Sequence, residues 1–194
     1  MKQLIKEIFK ESKFTEKEET LIFNQLEKIT LHKGELLLKK NEDVTAIYFI
    51  FEGCLRTYHI DDLEKEHTLQ FGIKGWWISD YIALYGKGET KAISSIECIK
   101  NATLYKISKE SFNELCKNIP TLCQLHISAL QYAFSAFQKR ILDSMTLSAK
   151  DRYIDFLKSY PEIEQSVKNY HIASFLGIAS ESLSRIRREI ANKC

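Results

Sequence analysis

Five polar side chains near the end of the chain fall on one side of a helical pattern: Glu181, Ser184, Arg185, Arg188 and Asn192, in the stretch SESLSRIRREIAN. Their chemistry is recognition. Arginine offers a planar fork of donors that fits guanine O6 and N7 or a phosphate, and glutamate can accept from cytosine N4. Leu183, Ile186 and Ile190 lie at i, i+3 and i+7 on the opposite side. A helix that is aliphatic inside and Ser/Glu/Arg outside is built to be held by one surface while it reads another. Just upstream, Ile172, Ala173 and Leu176 give a second short helix one apolar face, and Gly177 stands between the two. Glycine can take the positive φ of a tight turn, and Ala173 is small enough for a close crossing. This is the pattern of a helix-turn-helix. An ordinary αα-hairpin with a charged outer face is the plainer alternative.

Nothing else in the chain is spaced for bond-making chemistry. His32, His59, His67, His126 and His171 are isolated, with no H-x-H pair of the kind a cupin metal site uses. Cys54, Cys98, Cys116, Cys123 and Cys194 form no C-x-x-C pair, which disfavours a zinc ribbon or a compact iron–sulfur cluster. Scattered thiols in odd number fit a reducing cytoplasm rather than a disulfide framework. No nucleophile motif, glycine-rich phosphate loop or carboxylate pair stands out. The expectation is a chain that is not an enzyme, with no cofactor and no metal.

The chain has 194 residues, 44% apolar and 28% charged, with a net charge of +2. That describes an ordinary globular protein. The opening MKQLIKEIFKESKF lacks the apolar run of a secretory signal, and no run elsewhere could cross a bilayer. The charge is unevenly placed. Lys168 to Cys194 hold five basic and two acidic residues, so the positive surplus sits beside the candidate reading helix. This is a modest footprint for a polyanion.

The elements that must position these residues change character along the chain. Residues 3–28 read as helix, with Thr15 and Glu18 as a capping box. The middle holds short β-branched and aromatic segments, ELLLKK, AIYFIFEG, CLRTYHI, HTLQF, AISSIECI and ATLYKI, separated by glycine or charged turns. They predict an antiparallel barrel or sandwich, with HIDDLEKEH as a hairpin connection. Helix then returns. Cys123, Ile127, Leu130, Phe134, Phe137 and Ile141 step by 4, 3, 4, 3, 4. This a/d stripe predicts a helix zipped against a second copy of itself, with Ile127, Leu130, Phe134, Phe137 and Ile141 in the seam. A second set, Leu122, Ala129, Ala133 and Ala136, would lie against the chain's own barrel. Ser148 and Asp151 mark a new helix start, and Pro161 its end. The domain boundary is expected at 144–148.

Three stretches together resemble the Crp/Fnr family of bacterial transcription regulators. LHKGELLLKKNEDVTAIYFIFEGCLRTY is similar to the first strands of the family's cyclic-nucleotide-binding β-roll. The heptad helix is similar to its dimerisation helix, and HIASFLGIASESLSRIRREI to its helix-turn-helix. The resemblance implies an α+β chain: an antiparallel, cupin-like β-roll over 1–120, a dimerisation helix and hinge over 121–146, and a helix-turn-helix domain over 147–194. It implies that Ser180, Glu181 and Arg185 read bases while Ser184 and Arg188 lie near phosphate. The implied partners are double-stranded DNA carrying an inverted repeat, a second copy of the chain and RNA polymerase, with room for an unknown small-molecule effector and no membrane. The implied location is the cytoplasm.

Two departures qualify this. Members that bind cyclic AMP carry a Gly-Glu pair and, further on, an Arg-Ser or Arg-Ala pair. Here Ser79-Asp80 and Thr90-Lys91 stand at those places, so Asp80, Thr90 and Lys91 are the candidate effector-pocket residues. Threonine cannot replace the arginine that holds the cyclic phosphate, so cyclic AMP is not expected to bind. The cysteines are also not grouped near the start, as Fnr-type oxygen sensing needs. The second departure is the ending at Cys194, just past the second helix of the motif, which sets an expectation of a truncated wing. A dimeric ligand-binding or protein-interaction module without DNA binding is the rival. The basic, polar outer face of 181–192 speaks against it.

Overall fold

The computed structural model describes residues 2–9, 14–88, 90–161, 163–164 and 166–192. Two helices, α1 (Lys2–Ile8) and α2 (Glu16–Phe23), precede the sheet. The capping box starts α2. The Thr15 amide donates to Glu18 Oε2 at 2.7 Å, and the Glu18 amide donates to Thr15 Oγ1 at 3.3 Å. The helical reading of 3–28 does not hold at its end. Glu27 already belongs to β1 (Glu27–Leu31), which runs antiparallel to β6 (Ser95–Ser108) from Glu27↔Lys106 to Leu31↔Ala102. Leu26 and Ile29 carry helical spacing, but pairing across the sheet overrides it.

The sheet continues with β2 (Leu36–Leu38), β3 (Ala46–Ile60), β4 (Glu66–Ile73) and β5 (Trp77–Ile78). Its order is β1–β6–β3–β4, with β2 also on β6 and β5 also on β3. The expected short strands AIYFIFEG and CLRTYHI are one strand, and so are the main parts of AISSIECI and ATLYKI. Gly53 explains the first merger. It has φ +103° within β3, and a Cβ there would stand 2.5 Å from Ala102 Cα. It permits a close approach of β3 to β6 rather than a turn.

Both faces of β3 are covered. Ile47 and Phe49 pack with Ile5, Ile8, Ile22, Phe112, Leu115 and Leu122. Ile50 and Leu55 pack with Leu38, Ile78, Ile96 and Leu104. Phe49 and Ile50 are neighbours in sequence, so the period-2 alternation of a strand sends them to opposite cores.

The helices after the roll's short α3 (Tyr81–Tyr85) are α4 (Lys109–Asn118), α5 (Pro120–Thr146), α6 (Ala149–Ser159), α7 (Asn169–Leu176) and α8 (Ser180–Ala191). α5 has 27 residues, about 40 Å of helix. Its Leu122 is fully buried, while Ala129 and Ala136 stay exposed, so only part of the second set packs inward. Ser148 caps α6 by accepting from the Asp151 amide.

The chain divides into two compact units. One comprises Met1–Thr57 and Phe71–Tyr132, the other Tyr58–Gln70 and Ala133–Cys194. The tip of the β3–β4 hairpin therefore belongs with α6, α7 and α8.

Candidate nucleic-acid interface and the β-roll cradle

The second unit is built around the turn at Gly177. This residue caps α7 at φ +67° in the left-handed region, and the Ile178 amide returns to the Ala173 carbonyl at 3.0 Å. That i to i−5 bond closes a helix terminus of the Schellman kind. Ala173 and Ile172 are buried, as are Leu183 and Ile186 of α8. α8 turns its other side outward: Glu181, Arg185 and Arg188 are exposed, and Ser180 and Ser184 are half-buried.

The three arginines of α8 do different work. Arg185 makes no hydrogen bond or ion pair among the described residues. Arg188 Nε only reaches back to the Ser184 carbonyl at 3.4 Å, and Ser184 Oγ donates to the Ser180 carbonyl at 3.0 Å. Arg187 points the other way. Its Nε donates to the Tyr153 hydroxyl at 2.9 Å, Nη1 donates to Asn169 Oδ1, and Nη2 lies 2.9 Å from Glu164 Oε1. The Tyr153 hydroxyl donates in turn to Glu164 Oε1 at 3.1 Å. Arg187 thus ties α8 to α6 and α7, a role that the outer-face reading did not assign. The signal was present: Arg187 lies one turn after Leu183, on the inner side of the helix.

The hairpin tip holds α7 through Ser174. Its Oγ accepts from the Thr68 amide at 2.8 Å and donates to the Glu66 carbonyl at 3.0 Å. Arg140 of α5 donates to the Leu69 carbonyl at 2.7 Å and lies over the Phe175 ring at 4.6 Å. Within the hairpin turn, Asp61 Oδ2 sits 2.6 Å from His67 Nε2. Hydrogen bonds from His67 and from the Lys65 amide hold the Asp61 carboxyl down at about 2.

The heptad stripe of α5 is uncovered. Ile127 is 47% exposed, Phe134 63%, Phe137 38% and Ile141 53%, while Leu130 is half-buried. The exposed residues form a row with heptad spacing.

In the first unit, Asp80 lies 5% exposed at the start of α3. One carboxylate oxygen accepts from the Ala83 amide at 3.1 Å. The other accepts from the Ile93 and Ser94 amides at 2.9 and 3.1 Å. The cradle of backbone donors beside α3 is therefore filled by the chain's own carboxylate. Lys91 Nζ lies 2.9 Å from Asp43 Oδ1 on the surface. Thr90 is exposed, and its carbonyl accepts from Val44. Of the three candidate pocket residues, Asp80 is buried while Thr90 and Lys91 are exposed. Arg56 is fully buried and paired with Glu97 at 2.6 Å. Among the described residues there is no cluster of three or more His, Cys, Asp or Glu that could hold a metal, and no helix long and apolar enough to cross a membrane.

Comparison with known proteins agrees with this architecture. Residues 28–119 match the family model of the cyclic nucleotide-binding domain. The transcriptional activator protein Anr of Pseudomonas protegens is 22% identical over 167 residues, covering 80% of this chain and 67% of Anr. The fumarate and nitrate reduction regulatory protein of Escherichia coli is also 22% identical over 167 residues, covering 80% of this chain and 65% of that protein. The chain thus spans about two thirds of the length of these curated relatives. Among solved structures, the c-di-GMP-responsive global regulator CLP of Xanthomonas campestris superposes with a TM-score of 0.73 at 11% identity, covering 92% of this chain and 93% of CLP. A Crp/Fnr-family regulator from Eubacterium rectale superposes with a TM-score of 0.71 at 22% identity, covering 93% of this chain and 85% of its own. Roll, long helix and C-terminal helices are the arrangement these structures share with this chain. In sequence and in fold the chain is similar to Crp/Fnr-type transcription regulators.

Proposed function

We propose that the chain acts as a dimeric, sequence-specific DNA-binding regulator whose β-roll does not take up cyclic AMP. The observation that carries the DNA reading is the division of labour on α8. Arg187 is spent on holding the helix in place, while Arg185 is exposed and unengaged among the described residues. Ser180, Glu181 and Arg185 then face base edges, and Ser184 and Arg188 face phosphate. RNA polymerase is the further protein partner on this reading, and the cytoplasm the location.

Dimerisation rests on the uncovered stripe Ile127, Leu130, Phe134, Phe137 and Ile141, a seam with heptad spacing. Ile127→Asp with Phe134→Asp places charge in that seam at sites the single chain leaves half-exposed. The expected result is a folded monomer by sedimentation velocity. A native chain that sediments as a monomer at micromolar concentration overturns the dimer.

Exclusion of cyclic AMP rests on Asp80. With both its oxygens engaged by amides, a cyclic phosphate brought to this cradle meets a carboxylate instead of free donors and a cation. The reading as a whole is tested by selecting bound duplexes from a randomised library with the purified chain. A two-fold dimer should recover an inverted repeat with half-site centres about 10–10.5 bp apart. Recovery of no enriched sequence overturns it.

A further inference from the structure

One cluster of polar groups serves neither the reading face of α8 nor the Asp80 cradle. In the first unit, α1, β5 and α5 line a cleft of about 150 Å3. Its apolar walls include Ile8, Phe9, Trp77 and Leu125, and its polar groups are His126 and Glu7. His126 is 5% exposed, and neither ring nitrogen has a hydrogen-bond partner among the described residues. The rings of Trp77 and Phe112 meet it at centroid distances of 5.5 and 4.7 Å, contacts that offer a π face but no lone pair. Glu7 Oε2 is likewise buried without a hydrogen-bond partner among the described residues. Buried polar groups are almost always hydrogen-bonded, so two orphans lining one cleft point to a missing occupant.

We propose that this cleft binds a small organic amine: a protonated nitrogen on an apolar body of about the size of one ring or a short branched chain. The size follows from the cavity, since a space near this volume holds a benzene-sized molecule. The charge follows from the polar groups. A carboxylate only accepts hydrogen bonds, and a neutral imidazole has one accepting nitrogen. Burial keeps His126 in that neutral form, pushing its pKa down to about 4. The wall adds aromatic faces, which attract a cation. A carboxylic acid would set its charge against Glu7, and a hydrocarbon would leave both orphans unsatisfied. The site stands whether or not α8 reads DNA. An occupant would touch α5 at His126, beside Ile127 of the exposed stripe.

The test is calorimetric titration of the full chain with benzylamine, isoamylamine and cyclohexylamine, with benzoate and benzyl alcohol as matched controls. At least one amine should bind at millimolar concentration or tighter, and benzoate should not. Glu7→Gln, on a half-buried helix position, should weaken amine binding at least tenfold without changing the circular dichroism spectrum. In the unmodified chain, the imidazole nitrogen resonances of His126 should move on adding the amine and stay still on adding benzoate. The proposal is overturned if no amine binds, if benzoate binds as tightly, if Glu7→Gln leaves affinity unchanged, or if the His126 resonances do not respond.

Discussion

Arg187 Nε donates to the Tyr153 hydroxyl at 2.9 Å, and both groups meet the same oxygen of Glu164. One arginine of a basic helix is therefore part of the scaffold. Arg187→Ala should remove a charged, half-buried hydrogen-bond network and lower the stability of the second unit by about 1–3 kcal/mol. Arg185→Ala, at an exposed site, should stay within about 0.5 kcal/mol of the parent. Urea titration of both variants separates them. Equal stability losses would contradict the assignment.

On DNA, Arg185 and Arg188 should separate from each other. Losing Arg185 should cost about 1–3 kcal/mol of discrimination at one position of each half-site. Arg188→Ala should weaken all sequences alike and flatten the salt dependence. Measuring both variants across a randomised operator library decides it. An intact base preference in Arg185→Ala would show that the reading helix is placed wrongly.

Asp80 should matter to folding rather than to nucleotide binding. Asp80→Ala leaves the Ala83, Ile93 and Ser94 amides without their acceptor, and should cost about 2–4 kcal/mol by chemical denaturation. The unmodified chain should give no binding heat with cyclic AMP. Micromolar binding in that calorimeter would refute the filled cradle.

His126 supplies a pH dependence. Its pKa falls from the usual 6.5 to about 4 because burial disfavours the imidazolium. Between those values the unfolded chain binds more protons than the folded one, so stability falls as pH drops from 6.5 toward 4 and is fully present above 6.5. The contribution is at most about 3 kcal/mol. Urea midpoints at about pH 7 and about pH 5 should differ, and His126→Phe should narrow the difference. An unchanged difference in that variant would assign the effect to other groups.

The helical parts were legible because their signals are local. Thr15 and Glu18, Ser148 and Asp151, and Gly177 with Ala173 each act within one turn of chain. The long strands were not. Gly53 reads as a turn residue in sequence, and only the approach of Ala102 from β6 shows why it is glycine inside a strand. β1 was hidden because Ile29 continues the helical spacing of Ile22 and Leu26, and only its pairing with Leu104 of β6 makes it strand. Asp80 could be aligned to a ligand position, but its capture of the Ile93 and Ser94 amides depends on a loop folding back across thirteen residues. His126 is one histidine on an amphipathic helix until Trp77 and Glu7 come to it from elsewhere in the chain.

The hairpin tip 58–70 carries a consequence for inheritance. It is encoded inside the roll yet packs with the C-terminal helices, where Thr68 and Glu66 engage Ser174. A recombination event that exchanged only residues 133–194 for those of another regulator would part Ser174 from both partners. Heads of this kind should therefore be portable between chains only together with a short insert from the preceding half, or with compensating changes at position 174. Grafts that respect this should fold, and those cut at the obvious seam should not.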